Sequence, residues 1–256
     1  MSTASHARPA GPRTRKRVRS LVLHATAITL GSFIVVPIVY GVLGGFKDTG
    51  QLSNNPFGLP DPWRFQNYAE ILQSSFFWRP LFNSTFIAIA TALLVVAVSA
   101  MAAFIFARFA FRGRELLFTL FAAGLMFPFA VAILPLFVLL RMTGLLDNPL
   151  GVILPQAAFG MPMTIIILRT FFRSIPREVE EAATLDGCSA FGFFWRILLP
   201  MARPAIATVT VIAIVTSWNN FFLPLVVFND VDLWTIPLGV QQFRGQYTED
   251  TARVLA

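Results

Sequence analysis

Apolar positions along this chain gather into long runs that charge does not interrupt. Five runs carry no Asp, Glu, Lys or Arg: Ser20 to Phe46, Pro80 to Ala107, Leu116 to Leu140, Asn148 to Leu168, and Pro204 to Asn229. A helix needs about 20 such residues to cross a bilayer, and every run is that long. The pattern predicts five spans, over about 20–46, 81–107, 116–140, 148–171 and 204–229. A soluble reading would need five fully apolar helices in one small core. Residues 1–19 form a basic tail with Ser and Pro, expected to be disordered. The first run is too long for the apolar core of a signal peptide and has no small-x-small cleavage site after it, so it reads as a retained signal-anchor.

Punctuation between the runs adds detail. The first span is expected to end near Gly44 and Gly45. Gly41 and Gly45 make a small-xxx-small pair that could mark a helix contact. Asn54-Asn55-Pro56 and Leu59-Pro60-Asp61-Pro62 read as turns. Trp63, Phe65, Tyr68, Ile71 and Leu72 approximate helical spacing and suggest a short amphipathic helix, resting at the membrane interface or meeting a partner outside. Pro128, Pro135, Pro155, Pro162 and Pro224 fall inside predicted spans. Proline bends helices and frees carbonyls that neighbours must satisfy, which suits a packed bundle, with or without a pathway through it.

Composition supports the membrane reading. Of 256 residues, 56% are hydrophobic and 13% charged, against about 25% charged in soluble domains. With the N-terminus placed in the cytoplasm, inside segments hold 14 of the 20 Lys and Arg residues, as positive-inside bias requires. The net charge of +7 is then explained by lipid and topology, not by nucleic acid. One cysteine, Cys188, excludes an intramolecular disulfide. His6 and His24 are the only histidines, and no metal cluster is expected. The spans hold no mid-membrane Asp, Glu or His of the kind that drives ion-coupled carriers, so another component should supply energy. The only lysines, Lys16 and Lys47, follow no glycine, and the chain has no P-loop for ATP. No catalytic residue and no cofactor is expected.

The fourth and fifth runs are joined by a long inside segment, residues 174–203. Ser174 can cap a helix, Pro176 suits a first turn, and Glu178, Glu180 and Glu181 favour the positive end of the dipole. Val179, Ala182 and Ala183 give a small apolar face. Gly187 can take a left-handed turn or permit close backbone approach. A second, aromatic helix is expected from Ser189 through Phe191, Phe194, Ile197 and Leu198, ending at Pro200. By composition this is either a docking element or an amphipathic loop on its own bundle.

Spacing goes further. Glu181-Ala182-Ala183, three residues, Gly187, nine residues, then Ile197-x-Leu199-Pro200 fits every fixed position of the signature E-A-A-x(3)-G-x(9)-I-x-L-P. The chain thus resembles the permease subunits of binding-protein-dependent ABC importers. Trp63-Arg64-Phe65-Gln66-Asn67-Tyr68, Asn83-Ser84, the stretch Ser217 to Leu225, and Pro237-Leu238-Gly239 are similar to the carbohydrate (MalG-like) group. That group more often has an acidic residue where Asn220 stands.

The resemblance implies an all-α, polytopic bundle of the ABC importer permease type in a bacterial or archaeal cell membrane. It implies a second, usually different permease subunit, a dimer of cytoplasmic ATP-binding subunits and an extracytoplasmic solute-binding protein. Glu181, Ala182, Ala183, Asp186, Gly187, Ile197, Leu199 and Pro200 would form the ATPase-coupling element, with Glu181 as polar contact, the alanines as close-packing surface and Gly187 as turn. Amides and an indole in the fifth span, Trp218, Asn219 and Asn220, are candidates for the substrate pathway, with Gln156 a weaker one; buried amides also hold helices together. The implied solute is a sugar or oligosaccharide. Alternatives are an amino acid, polyamine or glycerol phosphate permease, or a self-sufficient carrier.

Five spans are visible where the family usually has six. Residues 230–256 read as an extracytoplasmic segment, with Phe243 to Tyr247 similar to the loop before the last span and Thr251 to Ala256 like that span's beginning. The expectation is a truncated sequence; a five-span functional protein is the alternative.

Overall fold

In hydrocarbon every backbone N–H and C=O must be bonded within its own segment, so apolar runs fold as helices. The computed structural model describes residues 12–240 together with 252 and 255, with side chains from residue 19. The described residues hold helices and no strand. The chain separates into two units, residues 1–73 with 244–256, and residues 74–243.

The first unit contains α1 (Pro12–Gly45), α2 (Thr49–Asn54) and α3 (Gln66–Gln73). From Arg19 to Gly45 α1 is apolar enough to cross a membrane, and most of its side chains are exposed, as for a lipid-facing helix. Gly41 touches nothing that a Cβ would meet within 4 Å, so the small-xxx-small pair makes no close contact at Gly41 among the described residues. Beyond α1 the loop is tied back by the Trp63–Tyr68 stretch. Asn67 Nδ2 donates to Gly45 O and Lys47 O, both at 2.9 Å. Tyr68 donates to Val42 O at 2.8 Å. The Phe46 ring lies against Trp63, Phe65 and Tyr68. These bonds satisfy carbonyls at the end of α1 that have no helical partner. Lys47 is 1% exposed, and its ammonium donates to Asn55 O at 2.9 Å and Pro56 O at 3.0 Å. Helix α3 starts after Trp63 and Phe65, so those two rings serve the loop and not an amphipathic face.

The second unit contains α4 (Ser75–Arg108), α5 (Arg114–Ala123), α6 (Phe129–Met142), α7 (Leu150–Ser174), α8 (Arg177–Leu185), α9 (Ala190–Phe193), α10 (Leu199–Met201), α11 (Arg203–Trp218) and α12 (Phe222–Val227). Helices α4, α7 and α11 pack on one another as its centre. Val95 meets Gly160, and Arg108 reaches Phe172 O, so α4 and α7 run parallel. Ser217 meets Gln156, near the start of α7, while Ala205 and Leu168 share the other end, so α11 is antiparallel to them.

Two stretches that the sequence reads as single spans are broken. Within 116–140, α5 continues through a 3-10 turn (Gly124–Met126) and then meets α6 at 98°. Phe127 is extended, as the residue before a proline tends to be, and Pro128 begins the new direction. Within 204–229, α11 ends at Trp218 and α12 begins at Phe222. Among the described residues three helices are long and apolar enough to cross a membrane, or up to five if Arg114–Met126 with α6, and Ala190–Met201 with α11, each count as one span.

One end of this unit is held by polar clamps. Asp147, in a left-handed conformation at φ 52, accepts from Asn229 N at 2.6 Å and Asp230 N at 3.0 Å. These bonds hold its carboxyl below the ordinary range, led by the Asp230 amide, then the Asn229 side chain and amide. Asn83 donates to Asp232 O and Trp234 O, and Ser84 Oγ accepts from Ile236 N. Residues 230–236 are thereby fixed across the start of α4. The stretch from 241 onward, read above as a loop and the start of a further span, lies outside the described residues apart from 252 and 255.

Candidate functional site

The segment after α7 is built from its caps. Ser174 is the last residue of α7, and its hydroxyl donates to Phe171 O at 2.7 Å, so it caps nothing in α8. Pro176 stands at the N-cap instead. Glu178 and Glu180 occupy the first turn of α8, where the dipole favours them. The helix ends in a Schellman cap: Cys188 N donates to Ala183 O at 2.9 Å and Gly187 N to Thr184 O at 3.0 Å. That cap needs a left-handed residue, and Gly187 supplies it at φ +79. Ser189 then caps the second helix by accepting from Gly192 N at 3.1 Å. The chain widens to a π turn over Phe194–Leu198, continues through α10, and bends by 78° into α11. Pro200 lies inside α10 and Ala202 marks the break.

The motif residues divide between two surfaces. Ala183 is buried with Phe104, Phe172, Ile175, Phe193, Phe194 and Leu198, and Ile197 and Leu199 pack against that cluster. Glu181, Ala182, Asp186 and Gly187 are exposed, as is Pro200. Leu185 is 89% exposed. Beyond the turn, exposed Phe191 and Trp195 rings pair at 6.0 Å. The outward face is therefore acidic and apolar together, and the two alanines of the motif do different things.

Arg108 joins this segment to the bundle, and Arg169 ties α7 to α5 just before it. Arg108 donates to Phe172 O at 2.8 Å and Ile175 O at 2.9 Å, and it pairs with Glu180 at 3.5 Å. Arg169 is buried. It bonds both Glu115 oxygens, at 2.6 and 2.7 Å, and lies 3.6 Å over the Phe118 ring. Neither role is legible in the sequence. A lone arginine closing an apolar run is the available signal, since a charge at that depth demands a partner, but nothing in the spacing names the partner.

The pathway candidates sit at the α11–α12 break. Asn219 Nδ2 donates to Val215 O at 2.8 Å, and Asn220 Oδ1 accepts from Leu223 N at 3.2 Å. Both amides thus close helix ends. Of Trp218, Asn219 and Asn220, only Asn220 lines the cavity of about 400 Å³ between α4, α7, α11 and the 3-10 turn; Gln156 lines it too. Among the described residues no three His, Cys, Asp or Glu side chains gather to hold a metal.

Comparison with known proteins agrees with this architecture. Residues 98–256 match the family described as binding-protein-dependent transport system inner membrane component. The chain is 38% identical to the diacetylchitobiose uptake system permease protein NgcG of Streptomyces coelicolor, over 90% of this chain and 76% of that one. It is 32% identical to the arabinooligosaccharides transport system permease protein AraQ of Halalkalibacterium halodurans, over 94% and 88%. Its fold is similar to a crystal structure of a bacterial ABC transporter that imports the acidic polysaccharide alginate, with a TM-score of 0.80, 24% identity, and coverage of 97% and 92%.

Proposed function

This chain belongs to the family of binding-protein-dependent transport system inner membrane components, and from that premise we propose that it is a membrane subunit of an ATP-driven importer of sugars or oligosaccharides. The family's members are transport subunits and not enzymes, and this one is a multi-pass inner membrane protein. Relatives named for diacetylchitobiose and arabinooligosaccharides support the solute class. The energy comes from a dimer of cytoplasmic ATPases, a second permease completes the pathway, and a solute-binding protein delivers the cargo. The N-terminus lies in the cytoplasm.

One observation carries the coupling role: α8 has a rooted edge and a free edge. Ala183 is buried in the bundle core and Glu180 reaches Arg108, while Glu181, Ala182 and Leu185 face outward. A helix fixed so can take a push on its free edge and pass it to α4 and α7 as a rigid lever. Glu181 offers a charge to Arg or Lys of an ATPase cleft, Ala182 permits close approach, and Asp186 and Gly187 turn the chain away. Ile197 and Leu199 brace the element from behind, and Pro200 sits in the short helix α10 before the bend into α11.

The test is co-purification with the cognate ATPase, followed by Glu181→Lys and Gly187→Trp. Both should abolish association and the hydrolysis stimulated by loaded binding protein. Survival of association and stimulation in both variants sinks the coupling role.

A further inference from the structure

The chain carries no charge from Pro80 to Ala107 and none from Asn148 to Leu168. Arg108 and Arg169 therefore mark the level at which hydrocarbon gives way to lipid headgroups. Glu115 lies at that level, because Arg169 bonds both its oxygens, at 2.6 and 2.7 Å. It is the only acidic residue between Glu70 and Asp147. Arg173 donates to the same carboxylate at 3.2 Å and Arg114 at 3.0 Å. One carboxylate thus holds three guanidinium groups. Arg169 alone matches its charge, and Arg114 and Arg173 are cations in excess. The Arg173 side chain is 45% exposed. Arg112, on the turn between α4 and α5, is exposed and makes no ion pair among the described residues.

The same helix carries an apolar surface beside these cations. No residue of α5 is buried, and Leu116, Leu117 and Leu120 are exposed. Helical spacing sets Leu116 and Leu120 one above the other. Helix α5 starts at Arg169, through Glu115, and ends where Gly124 meets Pro162 inside α7. The leucines therefore run from headgroup level into the hydrocarbon. Positive-inside topology asks only how many charges lie on one side. It does not ask that they gather at one point above a leucine ladder. A free inorganic anion would use the guanidinium groups and leave the leucines bare, and an acidic protein segment would do the same. A phospholipid of net negative charge uses both. Its phosphate meets guanidinium groups, and its acyl chains lie along the leucines.

We infer that Arg112, Arg114 and Arg173, with Leu116 and Leu120, form a binding site for an anionic phospholipid of the leaflet that faces α8. The lipid phosphate is a second anion for the excess cations. Shared between Arg114 of α5 and Arg173 of α7, it reinforces the tie that Glu115 makes between those helices. The inference goes beyond the importer reading and holds whichever solute the chain moves.

The experiment uses the purified complex, with its second permease and ATPases, in detergent. The probes are short-chain phosphatidylglycerol, short-chain phosphatidylcholine and inorganic phosphate. Native mass spectrometry counts bound lipid, and melting temperature reports its effect. Phosphatidylglycerol should bind and raise the melting temperature, and the other two should do neither at the same concentration. Arg112→Gln combined with Arg173→Gln should weaken its binding about twentyfold, a factor of about five for each arginine near anionic lipid. Arg169 still holds Glu115 in that variant, so its lipid-free melting temperature should be unchanged. Arg112→Gln alone breaks no ion pair and should weaken binding about fivefold, which keeps the test open if the double variant does not fold. Leu116→Ser should weaken binding as well. Arg203→Gln, an exposed arginine on the same side at the start of α11, should not. Equal binding of the two lipids overturns the site, and so does unchanged phosphatidylglycerol binding in the arginine variants. Inorganic phosphate that matches phosphatidylglycerol reduces the site to an anion pocket and overturns the lipid. Loss of the second permease or the ATPases from the arginine variants means that protein covers this face, and overturns it too.

Discussion

Arg108, in the last turn of α4, holds Glu180 of α8 at 3.5 Å while donating to Phe172 O and Ile175 O. One guanidinium thus bridges three helices' worth of chain: its own, the end of α7 and the start of α8. The two partners are not equal. The Arg108 side chain is 3% exposed and that of Glu180 31%.

That asymmetry sets the order of two substitutions. Arg108→Ala removes the donor for two carbonyls at the end of α7 and leaves Glu180 alone, and should cost about 3 kcal/mol. Glu180→Ala leaves Arg108 its two carbonyl acceptors and should cost about 1 kcal/mol or less. Thermal unfolding of the detergent-solubilised chain measures both, and the reverse order would refute the joint.

Gly187 separates backbone strain from steric room. Its φ of +79 penalises any Cβ, yet nothing lies within 4 Å of where one would stand. In the isolated chain Gly187→Ala and Gly187→Leu should therefore cost about the same, roughly 1–2 kcal/mol. A much larger loss for leucine would mean that the turn is not a free surface. The tryptophan variant should accordingly fold and fail only at docking.

Gly151 is the opposite case. A Cβ there would stand 2.2 Å from Leu145 O and 3.1 Å from Val227 Cγ1. The first contact is backbone and cannot rotate away, so Gly151→Ala should destabilise the second unit by about 2 kcal/mol. Gly41→Ala meets nothing and should stabilise α1 by up to about 1 kcal/mol through helix propensity. Melting curves of the two variants should move in opposite directions.

Asp147 gives one end of the bundle a pH dependence. The Asp230 amide, then Asn229, hold its carboxyl below the ordinary 3.8. A lowered folded value means that the clamp's stability is complete well above the ordinary value and is lost as pH falls through the lowered one. Protection of the Asn229 and Asp230 amides against hydrogen exchange should persist at neutral pH and collapse in acid. Asp147→Asn keeps the left-handed backbone and should reduce that protection at neutral pH. Equal protection in the variant would remove the carboxylate from the account.

Much of this protein is determined by local chemistry and is therefore legible in the sequence. Apolar length makes the helices, because hydrocarbon leaves the backbone no other partner. The Gly187 turn and the Ser189 cap follow from residue types at fixed offsets, and the structure has both. Spacing over Glu181 to Pro200 suffices to point to the family. Other features depend on what a residue meets across the fold. The 98° turn at Phe127–Pro128 and the break after Trp218 lie inside runs whose composition is continuous. Ser174 reads as a cap but is consumed by α7. Ala182 and Ala183 are identical in sequence, yet rotation about the helix axis turns one outward and buries the other. Arg108 finds Glu180 across 72 residues of chain, a pairing that no local pattern encodes.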